Sequence, residues 1–282
     1  MVFFLQNDAN SEKKSSSCWD IFIVFIGGFL YKQQQGCVRI LCVLLKTEKI
    51  ILRNILVFVT LLRNLIVKNI IIMSQLEKIF AEKLLNVKAI KLQPEQPFTW
   101  ASGWKSPFYC DNRKTLSFPA LRNFVKIELA RIIAEEFPEA DAVAGVATGA
   151  IAQGALVAEE LALPFCYVRA KAKDHGMGNL IEGELPEGSK VIVIEDLIST
   201  GGSSLKAVEA LRAAGYNVIG MVASYTYGFP VAEKAFADAN VRLVTLTNYE
   251  AVVEVAKETG YIKAEHVPML AEWRANPSEW MK

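Results

Sequence analysis

The segment Val191–Ser204, with the sequence VIVIEDLISTGGSS, combines carboxylates, hydroxyls and glycines in an order suited to binding a phosphorylated sugar. Its four leading apolar residues predict a buried strand, and Glu195 and Asp196 follow them directly. Ser199–Ser203 then form a loop of hydroxyl and glycine residues ahead of a predicted helix, where backbone N–H groups bind phosphate. Because carboxylates repel phosphate, we expect the acid pair to face ribose hydroxyls and a Mg²⁺ ion instead.

A second segment, Arg169–Gly183, carries concentrated positive charge. Arg169, Lys171 and Lys173 place three cations within five residues, and His175 follows. Taken alone, this composition predicts an ordinary exposed loop. Beside a phosphate-binding motif it predicts a cationic clamp for an anionic leaving group. The glycines of the segment suit a loop that closes over the reaction and excludes water.

Hydrophobic periodicity predicts the elements that must position these groups. The predicted strands are Ala142–Ala147, Pro164–Arg169, Val191–Ile194, Val218–Ser224 and Val241–Leu246, and the predicted helices are Gln75–Asn86, Pro119–Phe137, Ala150–Ala162, Ser204–Ala214 and Val231–Ala239. Strands that alternate with helices predict an α/β fold with a doubly wound, mostly parallel sheet. Binding sites in such folds lie at the carboxyl ends of the strands, where Thr148-Gly149, Arg169 and Glu195-Asp196 are all expected.

Three separated motifs resemble one known family. EDLISTGGS resembles the 5-phosphoribosyl-1-pyrophosphate (PRPP) motif of type I phosphoribosyltransferases. KAKDHGMGN and FTWASGWKSPFYCDNR are similar to the catalytic loop and the orotate-binding segment of the orotate phosphoribosyltransferases, and the resemblance runs from about Met73 to the C-terminus. It implies the type I fold with a small N-terminal hood, and transfer of the phosphoribosyl group of PRPP to orotate in pyrimidine biosynthesis.

The resemblance also implies cofactor, partners and residue roles. Mg²⁺ is expected to bind mainly through PRPP, with Asp196 as a further ligand, in a homodimer whose catalytic loop reaches the neighbouring subunit's site. Lys173, Asp196 and His175 are expected to be catalytic. The expected PRPP contacts are Thr148, Gly149, Arg169, Lys171, Lys173, His175, Glu195, Asp196, Leu197, Ile198, Ser199, Thr200, Gly201, Gly202 and Ser203.

The expected orotate contacts are Ser199, Tyr109 and Cys110. Two departures from the family pattern affect the site. Some members carry a lysine where this chain has Ala101 and a second basic residue where it has Ala170. Some also carry an Asp-Arg pair, which holds the orotate carboxylate, where this chain has Ser224–Tyr227. Lys105 and Arg113 are therefore the candidate partners of the carboxylate.

Composition divides the chain of 282 residues into two unlike parts. Residues 1–72 are rich in Ile, Leu, Phe, Lys and Asn and contain no proline, whereas residues 73–282 have the composition of an ordinary α/β domain. Ile21–Tyr31 is too short to span a bilayer, and charges interrupt Ile50–Met73. We expect residues 1–72 to be a disordered extension arising from a mis-assigned start, rather than a membrane anchor.

Charge and cysteine content limit the remaining possibilities. A net charge of +1 predicts no nucleic-acid partner, and five cysteines without metal-ligand spacing predict a reduced, cytoplasmic protein. Two further functions stay open at this point. A purine-base phosphoribosyltransferase shares the phosphate loop, and a PRPP-sensing regulator uses the fold without catalysis. The regulator is expected to carry a nucleic-acid-binding extension, and residues 1–72 show no helix-turn-helix pattern.

We predict that a shortened chain beginning at Met73 keeps full turnover and is more soluble than the full chain. The reason is that the apolar runs of residues 1–72 expose surface that promotes aggregation. Specific activity and melting temperature of the two chains, measured side by side, check this. A shortened chain that melts several degrees earlier would contradict it.

Overall fold

The computed structural model describes residues 57–61, 63, 74–100, 103–171 and 180–281. The chain divides into two compact units, Met1–Lys68 and Asn69–Lys282. In the first unit, residues 57–61 and 63 are helical. None of the helices within the described ranges is long and apolar enough to cross a membrane. The expected boundary at Met73 falls outside the described residues, so the expectations for residues 1–72 remain predictions.

Six strands form the main sheet among the described residues of the second unit. They are β5 (Ala142–Val146), β6 (Phe165–Val168), β7 (Ile181–Glu182), β8 (Lys190–Ile198), β9 (Asn217–Thr226) and β10 (Leu243–Asn248). The strand order is β10-β9-β8-β5-β6-β7. All neighbouring strands are parallel except β6 and β7, which pair antiparallel. The chain leaves β5 towards one edge of the sheet and β8 towards the other, so the topological switch point lies between these two strands.

Helices cover both faces of this sheet. They are α1 (residues 74–86), α2 (Pro119–Glu136), α3 (Ile151–Leu161), α4 (Gly202–Ala213), α5 (Pro230–Asp238), α6 (Tyr249–Glu258) and α7 (Val267–Ala275). Val191 and Val193 of β8 pack into the core beneath α4 and α5. Ile192 and Ile194 pack into the opposite core with the other helices, as the period-two geometry of a strand requires.

The structure corrects the predicted end of the central strand. We expected Val191–Ile194 with the acid pair beyond it, whereas β8 continues to Ile198 and contains both carboxylates. Pairing of β8 with β5 ends at Ile194, but pairing with β9 continues to Ile198. The strand continues because β9 still forms backbone hydrogen bonds with β8 after the pairing with β5 has ended.

A small subdomain precedes the sheet and corresponds to the expected hood. It contains the antiparallel pairs β1 (Ile90–Leu92) with β4 (Phe108–Cys110) and β2 (Phe98–Thr99) with β3 (Lys105–Ser106), followed by a 3₁₀-helix over Asn112–Ser117. The sequence pattern did not predict α6 or α7. Trp273 of α7 is fully buried, and its indole N–H donates to the Lys105 carbonyl at 3.2 Å. The C-terminal helix therefore fixes the hood.

Candidate active site

The switch point brings two predicted segments into contact. The Thr148-Gly149 turn follows β5, and Asp196 lies in the neighbouring β8. A Cβ atom at Gly149 would overlap the carboxylate of Asp196. A larger residue at this position would therefore displace that carboxylate. Two of the predicted PRPP-binding elements are thus adjacent at the carboxyl edge of the sheet.

The two carboxyls of the acid pair lie close to each other in β8 and interact directly, but their other contacts differ. Glu195 is 5% exposed and lies under α4, where the Ser204 hydroxyl donates to its Oε2 at 2.8 Å. The Asp196 backbone N–H donates to Glu195 Oε1 at 3.0 Å. Burial, followed by repulsion from Asp196, raises the pKa of Glu195 to about 8. At neutral pH this carboxyl is largely protonated.

Asp196 also contacts the hood. Its backbone carbonyl accepts a hydrogen bond from Asn112 Nδ2 at 2.5 Å. Burial raises the pKa of the Asp196 carboxyl, and its hydrogen bond with the Glu195 side chain and the positive charge of Arg113 oppose that shift. Asp196 is half-buried, so its carboxylate is the member of the pair that a ligand at this edge meets more readily.

The loop after β8 ends in a helix start suited to an anion. Gly201 adopts φ +81° as the residue before α4, and a Cβ there would lie 2.9 Å from the Phe236 ring. No side chain caps the first turn of α4. Thr200, Gly202 and Ser203 are exposed around it. Free backbone N–H groups and hydroxyls at a helix N-terminus form an anion-binding site.

A cavity of about 300 Å³ brings together the three residues expected to contact orotate, Tyr109, Cys110 and Ser199. Its other lining residues are Thr99, Trp100, Leu197 and Tyr227. Burial and the nearby carboxylates raise the pKa of the Cys110 thiol well above its usual range, so the thiol stays neutral. The cavity therefore offers aromatic surface and hydroxyl groups to a small planar ligand.

The two candidate partners of the orotate carboxylate differ in position. Lys105 Nζ donates to Thr99 Oγ1 at 2.8 Å and is thereby tied to the wall of the cavity. Arg113 is 60% exposed at its side chain and pairs with Asp111 at 2.7 Å. Neither side chain belongs to the lining of the cavity itself.

The basic segment is only partly within the described residues. Arg169 pairs with Glu182 at 3.2 Å and lines a second cavity of about 580 Å³ together with Ala147, Ser203 and Lys206. Lys171 is exposed. Lys173 and His175, the two expected catalytic residues of the loop, lie outside the described residues.

A third cavity, of about 630 Å³, lies between α5, α6 and α7 and contains none of the predicted site residues. We do not assign it to the reaction despite its size, because the acid pair, the phosphate loop and the basic segment all lie elsewhere. Sequence reasoning missed Trp100, Tyr227 and Asn112. The sequence did offer a signal near each of them, because Trp100 and Asn112 lie in the FTWASGWKSPFYCDNR segment and Tyr227 ends the Ser224–Tyr227 stretch.

The described residues contain no cluster of three or more His, Cys, Asp or Glu side chains able to hold a metal ion by itself. Asp196 offers a single carboxylate at the edge of the sheet. This donor set fits Mg²⁺, which is commonly bound by one or two carboxylates together with substrate phosphates.

Comparison with known sequences places this arrangement in a class. The family described as "Phosphoribosyl transferase domain" matches residues 122–258, which include β5, β8 and the phosphate loop. The fold and the site thus define a phosphoribosyltransferase domain, as the motifs predicted.

The particular family follows from closer relatives. The orotate phosphoribosyltransferase of Phocaeicola vulgatus is 72% identical over 208 residues, covering 74% of this chain and 98% of that protein. The crystal structure of the Aeropyrum pernix orotate phosphoribosyltransferase is 30% identical, with a TM-score of 0.57, over 65% of this chain and 99% of that chain. The fold is shared with a Mycobacterium tuberculosis orotate phosphoribosyltransferase in complex with PRPP, at 21% identity and a TM-score of 0.50, over 63% of this chain and 98% of that chain. The chain belongs to the orotate phosphoribosyltransferase family.

We predict that Glu195→Gln changes the pH dependence of stability. The native state holds a proton on Glu195 up to about pH 8, whereas an unfolded glutamate releases it near its ordinary pKa of 4.5. Since the native state binds more protons in this window, the parent loses stability as pH rises from about 4.5 to 8. Relative to the glutamine variant, the parent loses up to about 1.4 kcal/mol of stability for each pH unit in this window.

Chemical denaturation of both proteins at pH 5, 6.5 and 8 measures this difference. The expected result is a gap in the free energy of unfolding that shifts in favour of Glu195→Gln as pH rises. A constant gap across the three pH values would show that the carboxyl titrates normally in the folded protein.

Proposed function

We propose that this chain transfers the 5-phosphoribosyl group from PRPP to orotate, giving orotidine 5′-monophosphate and pyrophosphate, at the carboxyl edge of β5 and β8. One observation carries the proposal beyond family membership. The cavity lined by Tyr109, Cys110 and Ser199 adjoins the segment of β8 that carries Asp196. A base bound in the cavity would therefore lie next to a ribose bound at Asp196.

The phosphoribosyl half of the site rests on β8 and α4. In this proposal the N-terminal turn of α4 and the loop hydroxyls at Ser199–Ser203 bind the 5′-phosphate. The Asp196 carboxylate holds the ribose hydroxyls. Glu195 has both oxygens engaged by Ser204 and by the Asp196 N–H, so its predicted contact with PRPP requires those bonds to be exchanged.

The pyrophosphate half involves the β5 turn and the basic segment. Thr148 and Gly149 offer backbone groups beside Asp196, and Arg169 and Lys171 supply positive charge. Arg169 forms an ion pair with Glu182, so its guanidinium has to bind the anion and Glu182 at the same time. Lys173 and His175 are assigned here on the matching motif, as further cations for the leaving group.

The chemistry is chiefly positioning and electrostatic stabilisation. The bond between the anomeric carbon and the pyrophosphate oxygen breaks, and a bond from that carbon to the pyrimidine nitrogen forms. That nitrogen releases its proton to water, and pyrophosphate leaves with the electron pair of the broken bond. Positive charge develops on the ribose beside Asp196, while negative charge develops on pyrophosphate beside the basic residues. Asp196 would hold Mg²⁺ together with PRPP oxygens, and the ion would neutralise charge on the leaving group.

Recognition of orotate in this proposal combines aromatic and cationic contacts. The walls formed by Trp100, Tyr109 and Tyr227 bury the planar ring, and the Ser199 hydroxyl meets its polar edge. Lys105 is our preferred partner for the carboxylate, because its bond to Thr99 holds the ammonium against the cavity wall. Arg113 is the second candidate, although it is already paired with Asp111.

Two further features belong to the proposal. The active form is a homodimer in which the basic segment of one subunit serves the site of its partner. The enzyme works in the cytoplasm, a location consistent with the two free cysteines, Cys110 and Cys166, of the described residues.

An assay of base specificity tests the proposed function. The protein is mixed with PRPP and Mg²⁺, and loss of orotate absorbance is compared with consumption of adenine, hypoxanthine and uracil. We expect turnover with orotate and little with the other bases. Turnover of a purine base would favour the purine-specific alternative. PRPP binding without turnover of any base would favour the regulator.

Subunit exchange tests the shared site. We expect Lys173→Ala to lower turnover by about a hundredfold, since a cation acts on charge that develops in the transition state, and Asp196→Asn to abolish it. A mixed dimer of the two variants holds one intact site and one doubly altered site. If the loop acts in trans, each mixed dimer should recover about half the parental activity.

The control for this experiment is native mass spectrometry, which verifies that subunits have exchanged. Verified exchange without any recovery of turnover would mean that each site is built within one chain. Turnover of Lys173→Ala within about threefold of the parent would instead remove the loop cation from the mechanism.

A further inference from the structure

Asn112 stands out among the buried polar side chains of the described residues. It is the first residue of the 3₁₀-helix and is 5% exposed. Its Nδ2 donates to the backbone carbonyl of Asp196 at 2.5 Å, which fixes the amide orientation because a carbonyl only accepts. Its Oδ1 is buried and has no hydrogen-bond partner among the described residues. Burying an unpaired amide oxygen lowers stability, so folding alone does not favour asparagine here.

The bond from Asn112 joins the two halves of the proposed site. On the hood side, Tyr109 and Cys110 line the orotate cavity. On the sheet side, the acceptor belongs to Asp196, two residues beyond the last pairing of β8 with β5. From that point the β5 side of the strand has no strand partner. A side chain from the hood therefore reaches the part of β8 that the sheet holds on one side only.

We infer that Asn112 is a positioning residue for phosphoribosyl transfer, holding the orotate cavity at a fixed distance from the carboxylate that binds the ribose. This inference rests on the proposed function of the same site. Transfer requires the pyrimidine nitrogen to face the anomeric carbon closely and in line, and misplacement by about 1 Å can cost a hundredfold in rate. The hydrogen bond from Asn112 to the Asp196 carbonyl enforces that alignment, although it leaves the Asn112 amide oxygen unpaired.

Asn112→Leu separates positioning from stability. Leucine has the branched shape of asparagine and removes both the donor and the unpaired oxygen. The Asp196 carbonyl also loses its partner, so a modest fall in melting temperature is expected. We expect turnover with orotate to fall by about tenfold or more, while the dissociation constant of PRPP with Mg²⁺ stays within about threefold of the parent. Turnover is measured by orotate absorbance, PRPP binding by calorimetry, and stability by melting temperature. Asn112→Ala, evaluated by the same three measurements, serves if leucine is not accommodated.

Thr115→Val is the matched control. The Thr115 hydroxyl is also buried in the 3₁₀-helix, but it donates to the Asn112 carbonyl at 2.7 Å, so this hydrogen bond stays within the helix. A general weakening of this helix should lower the melting temperature of Thr115→Val while turnover stays within about twofold of the parent.

The two variants and the parent together decide the matter. Loss of turnover in Asn112→Leu with retained PRPP binding, while Thr115→Val at a similar melting temperature keeps its turnover, supports the positioning role. Full turnover in Asn112→Leu, or an equal loss of turnover in both variants, overturns it. A parent enzyme that fails to convert orotate would overturn the proposed function, and this inference with it.

Discussion

The closeness of β5 and β8 at the switch point governs the site. Two parallel strands end side by side, and the chain leaves them in opposite directions, so the turn after β5 and the acid pair of β8 meet at one edge. Gly149 lies so near the Asp196 carboxylate that a side chain would displace it. The phosphate-binding helix start and the orotate cavity both lie next to this contact. The helix start of α4 lies beyond one end of β8, and the orotate cavity lies on its hood side.

A second constraint is the presence of two carboxylates where a phosphorylated ligand is to bind. Two ionised acids would repel phosphate and pyrophosphate. The structure lessens that conflict by burying Glu195 beneath α4, which raises its pKa to about 8 and leaves it largely protonated at neutral pH. Asp196 then contributes most of the negative charge of the pair. One carboxylate is sufficient for ribose hydroxyls and for a protein ligand to Mg²⁺.

Much of this arrangement could be predicted from the sequence, because it depends on local patterns. The alternation of strands and helices gave the sheet, and three motifs gave the family. The end of β8 was predicted too early, since Glu195 and Asp196 have low strand propensity and interrupt the apolar run. Their strand conformation depends on pairing with β9, which the local sequence does not show.

The remaining features depend on contacts between distant parts of the chain. Trp273 holds the hood through the Lys105 carbonyl, 168 residues away in sequence, and Asn112 bonds to Asp196 across 84 residues. An aspartate-asparagine-arginine triplet in the sequence gives no sign of which carbonyl the asparagine will reach. The alternation of faces along β8 could have shown that Glu195 lies on the side of α4, because successive strand residues start from opposite faces.

A crystal structure of the protein with orotidine 5′-monophosphate tests the central claim most directly. The account predicts the pyrimidine in the cavity lined by Trp100, Tyr109 and Tyr227, the ribose hydroxyls on the Asp196 carboxylate, and the phosphate at the N-terminal turn of α4. A pyrimidine bound in the cavity beside Arg169 and Lys206, or in the groove between α5, α6 and α7, would contradict it.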